Sequence, residues 1–188
     1  TMSAQNLTLL TDLYELTMMQ GYFESQANET VIFDVFFREN PNKGGYSVMA
    51  GLEQVIEYIK NLNFSYEDVD YLRGLGLFSE DFLHYLSGFH FSGDIYAIPE
   101  GSVVPASNVV CQIINTDPEF YWLPSYIETA LLRAIWYPST VASVSHYCKG
   151  IIRQALEKSA DNTESLIFRL HDFGSRGASS QESVALGS

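Results

Sequence analysis

Residues 166–183 read LIFRLHDFGSRGASSQES, and this stretch sets the fold class. Leu166, Phe168 and Leu170 recur every second position, which predicts a buried strand over 166–170. A loop containing Gly174 and Gly177 follows. The loop runs into a helix whose expected capping box pairs Ser179 with Glu182. Strand, glycine loop and capped helix, arriving after a long helical crossover, mark the start of an α/β layer. Small residues permit close approach to the backbone, and Arg176 lies at the centre of the loop, so the segment also reads as an anion cradle with Arg176 as its leading binding residue. The same joint serves as a plain structural connection in many α/β chains.

Upstream, residues 126–136 and 139–159 have helical character, and Pro138 is expected to break them into two helices, the second capped by Ser139. Short apolar runs over 94–114, interrupted by PEG and PASN, predict strands joined by turns. Ser65 and Ser79 are expected to cap two short helices, the second carrying Phe82, Leu83 and Leu86 inward. Leu52, Val55, Ile56, Ile59 and Leu62 form a helical stripe. Residues 29–38 alternate, with Val31, Phe33, Val35 and Phe37 on one side. A helix over 12–23 opens at Thr11 or Asp12. The expectation is an α/β chain: an α+β N-terminal domain over 1–115 with a mixed sheet, then a helical connection and the start of an α/β barrel over 116–188.

The 188 residues carry 10 Lys and Arg against 23 Asp and Glu, a formal charge of −13. With 46% apolar residues, 12 Phe and 12 Tyr, the composition excludes intrinsic disorder. The acid is concentrated before residue 101, where 15 acidic side chains face 4 basic ones; beyond it the counts are 8 and 6. Any anionic ligand should favour the second part. The absence of a basic run argues against DNA or RNA as a partner. Cys111 and Cys148 form no CxxC pair, so neither a disulfide framework nor a structural zinc site is expected. Cys148 sits two residues from His146, a spacing that does not share a helical face. The opening TMSAQNLTLLTDLYEL lacks a signal-peptide pattern, and a soluble cytoplasmic protein with no membrane partner is expected.

HDFGSRGASSQES at 171–183, NTDPEFYWLPSYIET at 115–129 and WYPSTVASVS at 136–145 resemble the nicotinamide branch of the type II phosphoribosyltransferases. LLTDLYELTMMQGYF, FFRENPNKGGYSVMAGLEQVIEYI and GLFSEDFL, all within the first hundred residues, resemble the nicotinate branch. The resemblance implies phosphoribosyl transfer from phosphoribosyl pyrophosphate to nicotinate or nicotinamide, giving the mononucleotide and pyrophosphate in pyridine nucleotide salvage. It matches Phe173 to the aromatic that stacks on the pyridine ring and Arg176 to a contact with base or phosphate. Asp12 and Tyr14 match the TDxY pair, whose tyrosine reaches the neighbouring subunit's active site and closes over the ring. Arg38 matches a phosphate-binding arginine. The resemblance further implies a homodimer with shared sites, and ATP and Mg2+ as cofactors held by residues outside this chain. It assigns no catalytic residue here, and no metal site.

Read from the residues alone, Phe173 is an ordinary core position, while Asp12 is compatible with a helix cap and Arg38 with an ion pair to Glu39 or Asp34. His171 invites a general-base role that the resemblance does not support. His84, His90 and His146 read as surface or hydrogen-bonded histidines. A non-catalytic binding module of the same family is the alternative reading of the chain.

Overall fold

Helix α1, Leu13–Ser25, buries Leu16 and Met19 one turn apart and ends where Gln26 takes the left-handed conformation at φ 52°. It opens a computed structural model that describes residues 6–26, 29–41, 44–120 and 123–187. Strand β1, Ile32–Phe36, follows the expected alternation, with Val35 buried while Ile32, Asp34 and Phe36 are exposed. Strand β2 is Ser47–Val48, and α2 is Leu52–Lys60. Val55 and Leu62 are buried along the predicted stripe, whereas Ile56 turns outward.

Helix α3, Tyr66–Gly74, starts at Ser65 as expected: the Ser65 hydroxyl accepts from the Asp68 N–H, and the Asp68 carboxylate accepts from the Ser65 N–H at 2.9 Å. Helix α4, Glu80–Ser87, is capped by Ser79 and turns Phe82, Leu83 and Leu86 fully inward. Strands β3 (Asp94–Ala97), β4 (Val103–Val104) and β5 (Val109–Ile114) follow. The order β1-β5-β3 makes one sheet, with β3 and β5 antiparallel and Asp94 opposite Ile114; β2 and β4 form a second antiparallel pair. After a 3-10 turn at Pro118–Phe120 come α5, Leu123–Ser159, and finally α6, Gln181–Gly187. The mixed α/β class is thus as expected. Among the described residues no helix is long and apolar enough to cross a membrane.

The chain divides into two compact units, the first made of 1–35, 52–97 and 111–134, the second of 36–51, 98–110 and 135–188. The first unit is built around aromatic rings. Phe64, Phe89 and Tyr126 lie with centroids 5.6 to 5.8 Å apart, and Phe120 joins Phe89 at 5.2 Å. The fully buried Tyr126 keeps its hydroxyl satisfied by donating to the Thr8 carbonyl at 2.6 Å. Burial pushes its phenol well above the ordinary tyrosine pKa, and it pushes the neighbouring Tyr58 phenol up to about 12.

In the second unit the β2–β4 pair continues into a tight turn at Pro99–Ser102. Gly101 occupies φ +83°, a conformation most side chains avoid, and its N–H reaches the Met49 carbonyl at 2.8 Å. Two serines of α5 hold the adjoining backbone. Ser143 Oγ accepts from the Val48 N–H at 2.7 Å, and Ser139 Oγ both accepts from the Ala50 N–H and donates to the Ala50 carbonyl at 2.9 Å.

Three local expectations are corrected. Pro138 does not divide α5: the helix continues through it. The ring removes one backbone donor, a loss of about 3 kcal/mol in an isolated helix, but the bonds of Ser139 and Ser143 fix the following turn in helical position. Residues 166–170 form no strand. Glu164–Phe168 is a 3-10 turn in which Leu166 is buried but Phe168 is 70% exposed. No described strand pairs with this segment, so its backbone bonds close locally instead. Finally, α6 is capped by Ser180 rather than Ser179: Ser180 Oγ accepts from the Ser183 N–H and Ser183 Oγ accepts from the Ser180 N–H, both at 3.1 Å. Glu182 has no part in that exchange.

Candidate functional site

In the first unit, the segment before α1 is tied down by Thr8. Its hydroxyl donates to the Asn63 carbonyl at 2.7 Å, and its own carbonyl takes the Tyr126 hydroxyl. This anchorage fixes where α1 begins, and with it Asp12 and Tyr14. Asp12 stands at the N-cap with extended backbone, yet its carboxylate makes no capping bond, so capping is not its role. Tyr14 is 57% exposed on the first turn. The adjacent Glu15 carboxylate raises the Tyr14 phenol, first by hydrogen bonding and then by charge.

Glu15 itself is buried and accepts from Thr129 Oγ1 at 3.1 Å, and burial raises its carboxyl above the ordinary range. A carboxyl whose folded pKa is raised contributes stability at pH below its unfolded value and loses it as pH climbs through the folded value. Glu15→Gln keeps an acceptor for Thr129 and removes the charge. The Tm of Glu15→Gln is therefore expected to exceed that of the wild type by a margin that is small near about pH 4 and widens toward neutrality. A margin that stays constant across that range would show that Glu15 does not titrate on folding.

The second unit carries Arg38, Phe173 and Arg176. Arg38 lies two residues beyond β1, exposed, next to Phe37, whose carbonyl takes the Ser107 N–H at 2.7 Å. The proposed rival pairing of Arg38 with Asp34 is not formed: the Asp34 carboxylate accepts from the Gln112 amide at 2.8 Å, and among the described residues neither Arg38 nor Arg176 joins an ion pair.

The DFG loop is shaped by Asp172, whose carboxylate accepts from the Gly174 N–H at 2.6 Å. A Cβ on Gly174 would lie 2.8 Å from that same oxygen, so glycine is what lets the carboxylate sit there. The chain then closes a 3-10 turn at Ser175–Gly177 with the Gly177 N–H on the Gly174 carbonyl at 2.8 Å. Phe173 projects outward at 83% exposure, its ring 6.0 Å from that of His171, and His171 Nε2 is engaged with the Phe168 carbonyl at 2.6 Å. The core alternative for Phe173 is not what the structure contains.

Phe173 and Arg176 thus share one exposed loop, a flat apolar face and, three residues on, a guanidinium in no ion pair with a described residue. Such a pair can stack on a heteroaromatic ring and neutralise an attached anion. Asp12 and Tyr14 belong to the first unit and Arg38 to the second. Sequence reasoning missed Asp172 as the organiser of the loop, although Asp two residues before Gly is the signal of a side-chain-closed turn. It also missed Glu15, which no pattern marks as buried. His146 is hydrogen-bonded, as expected, through Nδ1 to the Tyr46 hydroxyl at 2.7 Å. Cys111 is a buried free thiol pushed up to about 11 by burial, and Cys148 is free and half-buried. Tyr121 and Trp122 of the quoted 115–129 stretch lie outside the described residues.

Comparison with known proteins places these features in context. The nicotinate phosphoribosyltransferase (NAPRTase) N-terminal domain family matches residues 9–135. A nicotinate phosphoribosyltransferase of Mycobacterium tuberculosis is 40% identical over 139 residues, covering 72% of this chain and 28% of its own length. A nicotinamide phosphoribosyltransferase of Xanthomonas campestris is 41% identical over 164 residues, 81% of this chain and 35% of its own. The crystal structure of human nicotinic acid phosphoribosyltransferase superposes with a TM-score of 0.63 at 28% identity, covering 71% of this chain and 27% of that one. The chain therefore spans roughly a third or less of the length of these relatives. With a single family accounting for residues 9–135 and relatives of both base types alike over most of its length, the chain belongs to the nicotinate phosphoribosyltransferase family.

Proposed function

We propose that the protein to which this chain belongs transfers a phosphoribosyl group from phosphoribosyl pyrophosphate to nicotinate or nicotinamide in the cytoplasm, releasing pyrophosphate as a step of NAD salvage. The ring nitrogen forms a bond to the anomeric carbon as the bond to pyrophosphate breaks, through a state with cationic ribosyl character. Catalysis of such a step rests on alignment and on charge placed at the leaving group. Phe173 and Tyr14 hold the ring; Arg176, Arg38 and Asp12 serve the phosphates and the sugar donor. The supporting observation is that Phe173 and Arg176 stand exposed on one loop of a chain of this family.

In this reading the N-terminal α+β domain covers 1–115, and the loop belongs to a barrel that begins within 116–188. A homodimer in which Tyr14 enters the neighbouring subunit's site completes the pocket. ATP and Mg2+ belong to the proposal through residues outside this chain. Among the described residues no group of three His, Cys, Asp or Glu side chains is placed to hold a metal ion.

The test is turnover of the full-length protein with phosphoribosyl pyrophosphate and each base in turn. Mononucleotide formation from one of the two is expected, while the 188-residue chain alone is expected to give none. Absence of product from the full-length protein with either base would overturn the assignment. Product from the short chain would show that the pocket is complete within it.

A further inference from the structure

Two anchors on α5 bracket Asp12 and Tyr14 in the first unit. Tyr126 and Thr129 stand three positions apart on that helix and so share a face. The Tyr126 hydroxyl donates to the Thr8 carbonyl at 2.6 Å, and Thr129 Oγ1 donates to Glu15 Oε1 at 3.1 Å. Thr8 is fixed a second time, its hydroxyl donating to the Asn63 carbonyl at 2.7 Å and accepting from the Asn63 N–H at 3.2 Å. Asp12 and Tyr14 lie in the span between these held positions.

Apolar packing accounts for only part of the seating of α1, through Leu16 and Met19. Glu15 is 1% exposed beside them, although a glutamate in the first turn of a helix ordinarily faces water. Taking its carboxyl out of water costs free energy that a methionine of similar length would not. What the carboxylate supplies in return is direction, because a hydrogen bond holds a narrow range of distance and angle while apolar contact tolerates sliding. Successive residues of a helix point about 100° apart. With Glu15 turned to Thr129, Tyr14 therefore faces outward, and the same carboxylate is the group that acts most strongly on its phenol.

We infer that Glu15 is a positioning residue: its bond to Thr129 fixes the rotation of the first turn of α1 and so aims Tyr14 at the base. This rests on the phosphoribosyl transfer and on the role of Tyr14 proposed above. Glu15 acts through Tyr14 and does not itself meet substrate.

The experiment measures kcat and KM in the full-length enzyme for the base it turns over. Tyr14→Ala is expected to raise that KM about tenfold or more. Thr129→Val, which keeps the shape and removes the donor, is expected to raise it about fivefold with kcat within about twofold of the wild type. Glu15→Met breaks the same bond from the other side and is expected to give the same rise, so a folding defect in one variant does not decide the outcome. Thr129→Ser restores the hydroxyl and is expected to bring KM back to the wild-type value. In the Tyr14→Ala background, Thr129→Val is expected to add nothing, because the ring it aims is gone. An unchanged KM in Thr129→Val and Glu15→Met, or a rise of equal size with and without Tyr14, would overturn the inference while leaving the role of Tyr14 intact. An unchanged KM in Tyr14→Ala would instead overturn the role of Tyr14, and the inference with it.

Discussion

Arg176→Ala in the full-length enzyme is expected to lower kcat/KM by more than about tenfold while leaving folding stability within about 1 kcal/mol. The separation of the two effects follows from where the residue stands. Arg176 is exposed on a 3-10 turn and makes no ion pair with any described residue, so truncating it removes neither packing nor a buried bond. In the proposed reaction its value lies in what it does for a ligand: charge grows on pyrophosphate as the glycosidic bond forms, and a guanidinium positioned beforehand opposes that charge without reorganising. Arg176→Lys is expected to recover only part of the activity, because an ammonium cannot grip two oxygens through a planar fork. Steady-state kinetics beside thermal denaturation of both variants reads the two quantities. Turnover equal to the wild type would remove Arg176 from the mechanism.

The largest stability effect is expected from Phe82→Ala, a loss of about 3–5 kcal/mol. Phe82 is fully buried on α4, with the rings of Phe23, Phe78 and Tyr85 at 5.7, 5.9 and 6.4 Å. Four rings meeting at one point leave little freedom to collapse into the space a missing phenyl would open, so both the transfer and the cavity contributions are felt. A typical domain has only about 5–15 kcal/mol in total. Chemical denaturation of the 188-residue chain gives the number. A loss below about 1 kcal/mol would mean that the cluster repacks around the gap.

The parts of this fold that were legible in the sequence are those governed by bonds a few residues long. Ser65 and Ser79 were readable as caps because a hydroxyl reaches an N–H three positions on, wherever the helix later packs. The alternation through β1 was readable because a pleat has a fixed period. What failed depended on distant partners. Pro138 was read as a break on local grounds, and the bonds from Ser139 and Ser143 to residues 48 and 50 overrule it. Leu166, Phe168 and Leu170 have the spacing of a strand without a strand to pair with. The shift from Ser179 to Ser180 at α6 reflects two neighbouring serines that the capping pattern does not distinguish. For the candidate site, Arg176 is readable from its place in the glycine loop, whereas Phe173 is proposed through the resemblance alone. The buried state of Glu15 was invisible, since a glutamate on the first turn of a helix ordinarily faces water.

The paired serines of α5 also limit which changes of length the gene can tolerate. Each hydroxyl meets a backbone group only while residues 139 and 143 stay one turn apart opposite residues 48 to 50. Inserting or deleting one amino acid between them would swing Ser143 by about 100° around the helix and strand the Val48 amide. Insertions and deletions should therefore accumulate elsewhere among natural variants, leaving this short span of constant spacing as a ruler against which other copies of the domain can be aligned.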